Sequence, residues 1–190
     1  MEKTLRQYDQ VTARSKDIFL KKMKDYGTAW RILRPSSITD QIFIKAQRIR
    51  SIEEKGEQKV ADDVDGEYIG ILNYSVIALI QLELGLGEEN ELAFEKAASL
   101  YEGYINQSRE LMMNKNHDYG EAWRDMRISS ITDLILMKIL RVRQIEDNQG
   151  KTIISEGLDA NYLDMINYAI FALIRLGEMQ PSSVSKPSAT

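Results

Sequence analysis

Two lysines sit where a helix should carry only apolar side chains. In "SSITDQIFIKAQRIRSIE", Ile38, Ile42, Ile49 and Ile52 fall at i, i+4, i+11 and i+14, one face of a helix, and Lys45 takes the missing i+7 slot. Ninety-three residues further on, the stripe is Ile131, Ile135, Lys138, Val142 and Ile145, with Lys138 in the same slot. An isolated buried ammonium is costly, so each lysine needs a carboxylate partner or a polar pocket. Arg48 and Arg141 lie one turn beyond. Paired cations of this kind can clamp phosphate oxygens, where charge neutralisation and positioning carry most of the chemistry. The plainer reading is that the lysines snorkel and the arginines make surface pairs.

Carboxylates come from the apolar segments about Val64–Leu84 and about Leu158–Leu176. Asn73 and Asn167 interrupt them at matching positions, and Asn161, Asp164 and Asn167 form a polar stripe in the second. The first has Glu67, Gly70 and Asn73 there, so each copy keeps one acid at a different place. Asp65 and Asp159 match one another nearer the helix start. Mg²⁺ takes one or two carboxylates together with phosphate oxygens and water, and Asp164, Asp159, Glu67 and Asp65 are its candidate ligands. Asp164 and Glu67 are the candidate catalytic acids. The same acids could instead neutralise Lys45 and Lys138 in structural ion pairs. Trp30, Trp123, Tyr26 and Tyr119 have flat faces suited to stacking on a base, or to core packing just past a helix end. His117, the one histidine, reads as an exposed helix-end residue. No Ser/His/Asp set, phosphate loop or zinc spacing is present.

The elements that must position these side chains occur twice. From Asp25 to Glu53 against Asp118 to Glu146, 18 of 29 positions are identical, and "NYSVIALIQL" from Asn73 answers "NYAIFALIRL" from Asn167 after a one-residue insertion. Each copy reads as three helices. The first spans Glu2–Tyr26 or Ala93–Tyr119 and stops at Gly27 or Gly120, where a left-handed C′ residue is expected. "SSITD" opens the second, with Ser37 or Ser130 as N-cap and Asp40 or Asp133 three residues on; it runs to about Gly56 or Asn148. The third is apolar nearly all round and belongs at the centre.

The expectation is an all-α bundle of two tandem three-helix repeats, residues 1–86 and 87–178, packed as one domain about a pseudo-twofold axis. Such a chain is a covalent version of a symmetric dimer. A Ser/Pro-rich tail, 179–190, is expected to be disordered. Dimerisation of the whole chain is a further option.

At 190 residues, net charge −4 and pI near 5.2, the chain can bury a real core but is a poor match for duplex nucleic acid. It has no cysteine, no apolar run long enough for a membrane span and no signal-peptide core in "MEKTLRQYDQ", so the cytoplasm is the expected compartment.

"KDYGTAW", then K-x-x-R, then "NYSVIALIQL", together with their second copies, resemble the DUF1599 family, nucleotide modification associated domain 1. The likeness covers about Lys21–Leu84 and Asn114–Leu176. The family's acid three residues before Asn-Tyr stands at Asp164, with Gly70 in its place in the first copy. More distantly, the apolar acid-bearing helix is similar to all-α nucleotide pyrophosphohydrolases of the MazG and dimeric dUTPase type, which hold Mg²⁺ on a triphosphate. The resemblance implies a nucleotide or nucleoside triphosphate as partner, with Lys45, Arg48, Lys138, Arg141, Asn73, Asn167, Trp30 and Trp123 as its contacts. Three readings stand open: Mg²⁺-dependent hydrolysis of a (modified) nucleoside triphosphate, binding of a nucleotide or modified base without catalysis, and a helical scaffold with internal Lys–Asp pairs. The better site is expected around Asp164, with Lys138, Arg141 and Asn167, and with Glu67 reaching in from the other copy.

Overall fold

A computed structural model describes residues 1–56, 63–89 and 91–179. Six helices account for most of them: α1 (Glu2–Tyr26), α2 (Pro35–Lys55), α3 (Val64–Leu84), α4 (Phe94–Tyr119), α5 (Ile128–Asp147) and α6 (Leu158–Met179). A short 3-10 turn, Ala29–Ile32 or Ala122–Asp125, joins the first and second helices of each repeat. There is no strand among the described residues. The tail expected to be disordered lies outside the described residues, except that Met179 ends α6.

Two local readings need correction. Ser37 and Ser130 are not N-caps: the caps of α2 and α5 lie three residues earlier, at Arg34 and Arg127, and make no side-chain cap bond. In α2 the reason is Pro35 at N1, whose ring presets helical φ and whose missing N–H costs nothing there. The aspartates released from capping cross the repeats instead, Asp40 to Arg143 at 2.7 Å and Asp133 to Arg50 at 3.6 Å. Gly27 and Gly120 do have positive φ (61° and 64°), but with ψ of −147° and −162°, a region open essentially to glycine alone.

The two repeats are related by a pseudo-twofold axis, and the reciprocity is visible bond by bond. Thr39 of α2 meets the Tyr162 hydroxyl of α6 at 2.7 Å; Thr132 of α5 meets the Tyr68 hydroxyl of α3 at the same distance. The Tyr8 hydroxyl donates to Asn167 Oδ1 at 2.9 Å, and the Tyr101 hydroxyl to Asn73 Oδ1 at 2.7 Å. Equivalent helices run antiparallel. Ile69, early in α3, shares a cleft with Leu173 and Gly177 late in α6, and Lys16 of α1 pairs with Glu102 of α4 at 2.7 Å. The centre is α3 against α6, flanked by α2 and α5, with Tyr68, Ile71, Leu72, Tyr162 and Ile166 fully buried.

One of these cross-repeat clusters titrates. Burial pushes the Glu146 carboxyl upward, against the Thr39 hydroxyl that reaches it at 3.4 Å. A carboxyl raised in the folded state favours folding below its unfolded pKa, and that contribution is lost as pH rises through the folded value. Glu146→Gln, which mimics the protonated form, is therefore expected to raise the melting temperature at neutral pH. The gain should fade below the ordinary glutamate range. Melting curves for both chains from acid to neutral pH check this, and a gain independent of pH would contradict it.

Candidate functional site

The lysine stripe packs as its spacing requires. Ile38, Ile42 and Ile49, and in the second repeat Ile131, Ile135 and Val142, are fully buried around their lysines. The partners differ. Lys45 Nζ lies 3.2 Å from Glu67 Oε2, and Arg48 bonds the other Glu67 oxygen. Lys138 Nζ lies 2.6 Å from Asp164 Oδ2, with Lys115 Nζ 2.6 Å from Oδ1. Lys138 and Asp164 are only 5% exposed. Burial alone would depress the Lys115 ammonium, but the bond to Asp164 outweighs it and holds that group above the ordinary lysine range. The acids stand one turn apart because the repeats exchanged them: Glu67 corresponds to Asn161, and Gly70 to Asp164.

That exchange decides where space is left. A Cβ on Gly70 would lie 2.6 Å from Lys45 Cε and 2.7 Å from its Cδ, so the Lys45 arm crosses the glycine on its way to Glu67. Beside it a cavity of about 600 Å³ opens between α1, α2, α3 and the 3-10 turn. Phe19, Trp30, Leu33, Ile69 and Ile77 give it apolar walls, and Arg14, Lys22 and Lys45 bring positive charge. Arg14 is engaged by Asp65. Lys22 is exposed and has no carboxylate partner among the described residues. Tyr26 stands at the margin, 70% exposed.

In the second repeat the corresponding groups meet one another. Phe171, in the place of Ile77, stacks on Trp123 with centroids 4.3 Å apart and planes 6° from parallel. Arg124 lies over the same indole at 4.4 Å. The expected site around Asp164 is therefore not an open one: both carboxylate oxygens are held by lysines and Trp123 is buried. Its expected companions are elsewhere. Arg141 is exposed on a separate cleft with Lys151 and Asn161, while Asn167 is consumed inside the fold. Glu67 does not reach across to Asp164; it stays with Lys45 and Arg48 of its own repeat. Tyr119 and His117 are both exposed.

Asn73 and Asn167 are each used at both ends. Their amide nitrogens donate to the Ser15 and Ser108 carbonyls at 3.2 and 3.0 Å, and their oxygens accept from the tyrosines of the opposite repeat. They tie the outer helices to the centre. Asn73 also borders the cavity.

Asp65, Asp159, Glu67 and Asp164 do not gather into a cation cage. Among the described residues no group of three or more His, Asp or Glu side chains is placed to hold a metal. Two of the four are committed to lysines, Asp65 is held by Arg14, and Asp159 is exposed. Three of the four carboxylates already neutralise a lysine or arginine, so no two of them stand together free to share a cation such as Mg²⁺.

The sequence pattern did not disclose the residues that hold the turn before α2. Arg31 is buried, bonded through Nη1 to Gln81 and to the Gly85 carbonyl. Gln81 Nε2 returns bonds to the Arg31 and Leu33 carbonyls at 2.9 and 2.8 Å. Arg175 plays the Gln81 part in the second repeat, donating to the Arg124 and Met126 carbonyls. The repeated "AWR" was the available signal.

Fold and site together define an all-α protein of two antiparallel three-helix repeats, with an apolar, cation-edged cavity open in the first. The profile of nucleotide modification associated domain 1 matches residues 22–82 and 115–176, once per repeat, and the chain belongs to that family. No curated protein and no solved structure matches it. Among the described residues no helix is long and apolar enough to cross a membrane.

Proposed function

We propose that this protein binds a nucleotide or modified base in the cavity of its first repeat, without a resident metal. The observation that carries the reading is that cavity, whose apolar walls include Trp30 and whose charged groups include Lys22 and Lys45. Its volume of about 600 Å³ falls in the range of roughly 300–1,000 Å³ usual for small-molecule sites, which combine apolar lining with a few placed polar groups. An indole face suits a base, and two ammonium groups suit a phosphate. The family description, which names nucleotide modification, supports the same class of ligand. Hydrolysis draws on no convergent acid pair among the described residues, so no hydrolytic step is part of this reading.

A thermal-shift panel of deoxynucleoside mono- and triphosphates, with Mg²⁺ and with a chelator, tests it. Ligand at about 100 times Kd adds about 2.7 kcal/mol. For a chain of this length that is a rise of roughly 5–10 °C. The expected rise is the same with and without metal. A rise that needs Mg²⁺ would restore the hydrolase reading, and no rise across the panel would remove nucleotides as the ligand.

A further inference from the structure

Five residues bordering the cavity have duplicated counterparts that close the second repeat on itself. Trp30 and Ile77 correspond to Trp123 and Phe171, which stack on one another. Gly70 corresponds to Asp164, and Lys22 and Lys45 correspond to Lys115 and Lys138, which Asp164 bridges at 2.6 Å on each side. The second repeat thus places a flat ring on its tryptophan and one anion between its two lysines. The first repeat keeps the tryptophan and both lysines, but has no ring on the tryptophan and no anion between the lysines; its Glu67 meets Lys45 from one turn away, beside Arg48.

We propose that Phe171 and Asp164 are a built-in image of the ligand, and that the first repeat binds a nucleoside 5′-monophosphate. Its base lies on Trp30 where Phe171 would project, and its phosphate lies between Lys22 and Lys45 where Asp164 would. Asp164 and Phe171 are seven residues apart, roughly 10 Å along the helix axis, so ring and anion are joined through a spacer such as a pentose. One phosphate satisfies both lysines, as one carboxylate does in the second repeat. A longer phosphate chain would find Arg14 already paired with Asp65. Lys45 is free to turn from Glu67 to the ligand because Arg48 still neutralises that acid. Gly70 leaves the room for this, and each chain carries one such site.

The inference rests on the nucleotide reading above, and its test separates the two. Isothermal titration compares deoxynucleoside 5′-monophosphates, the matching nucleosides and inorganic phosphate against wild type, Gly70→Asp and Ile77→Phe. Wild type is expected to bind one monophosphate per chain, more tightly than its nucleoside. Gly70→Asp should cancel that preference, because an acid now occupies the anion position. Ile77→Phe should weaken nucleoside and nucleotide alike by at least about thirtyfold, because a ring now covers Trp30. Both side chains already stand at the matching positions of the second repeat, and a melting curve confirms that each variant folds. Should either fail to fold, Lys22→Met replaces it, since Lys22 is exposed; it should reduce the preference for the phosphate about tenfold. A monophosphate bound by these variants with wild-type affinity would overturn the built-in image and leave the nucleotide reading standing. No binding of any monophosphate to wild type would likewise overturn the built-in image, and the nucleotide reading would then stand or fall by the triphosphates of the thermal-shift panel.

Discussion

Asp164→Asn is expected to destabilise the fold by about 3 kcal/mol, which for a chain of this length lowers the melting temperature by roughly 6–12 °C. Lys138 is 5% exposed, and its ammonium has the Asp164 carboxylate 2.6 Å away. Removing one partner of a buried pair leaves the other charge uncompensated, and the usual cost is about 3–5 kcal/mol. Asparagine keeps an acceptor for Lys138, and Lys115 can turn to water because its side chain is nearly half exposed, so the lower end applies. The companion double variant Asp164→Leu with Lys138→Met removes both charges and should recover most of the loss, since apolar replacement of a buried pair is often neutral or stabilising. Chemical denaturation of the three chains is the measurement. A neutral Asp164→Asn would mean that Lys138 reaches water, and would reopen the Asp164 region as a binding site.

How much of this was legible in the sequence depends on which residues are asked. The helix stripes were, because burial writes a 3.6-residue period into α2 and α5 whatever the partner is. Lysine in that stripe called for a carboxylate partner or a polar pocket, and each of the two has a carboxylate. The roles of Asn73 and Asn167 were not legible. A polar letter repeated in a buried helix looks the same whether it meets a ligand or a tyrosine hydroxyl from another helix, and both tyrosines, Tyr8 and Tyr101, come from the opposite repeat. The helix starts were misplaced because Ser-x-x-Asp has the letters of a capping box, while Pro35 and the cross-repeat arginines had already settled both the start and the use of Asp40. The cavity lies in the other repeat from the one whose retained acid pointed to a site, for a related reason. Retention of an acid looks like retention of function, yet Asp164 closes its repeat, and the loss of that acid at Gly70 accompanies the cavity beside Lys45. Size and charge at two positions, Gly70 against Asp164 and Ile77 against Phe171, separate a cavity from a filled core, and neither difference alters the helical pattern.

Lys45→Met should show the opposite balance from Asp164→Asn: little change in stability and a large loss of ligand affinity. Lys45 is only part-buried, with about a quarter of its side chain exposed, and Glu67 keeps the Arg48 guanidinium after the ammonium is gone. The unsatisfied-charge penalty that dominates at Asp164 is therefore absent, and methionine fills the apolar slot between Ile42 and Ile49. Stability should stay within about 1 kcal/mol of wild type, where substitutions that leave no buried charge or cavity fall. Binding is another matter. A charge-assisted hydrogen bond to phosphate is worth about 1.5–3 kcal/mol, which corresponds to roughly 10- to 150-fold in affinity. Titration of a deoxynucleoside monophosphate into wild type and Lys45→Met reads that loss directly, and the matching nucleoside, which has no phosphate to lose, should bind both chains alike. Equal nucleotide affinity in the two chains would move the anion away from Lys45. A drop in stability as large as that expected for Asp164→Asn would make the Lys45–Glu67 bridge a structural pair, like its counterpart in the second repeat.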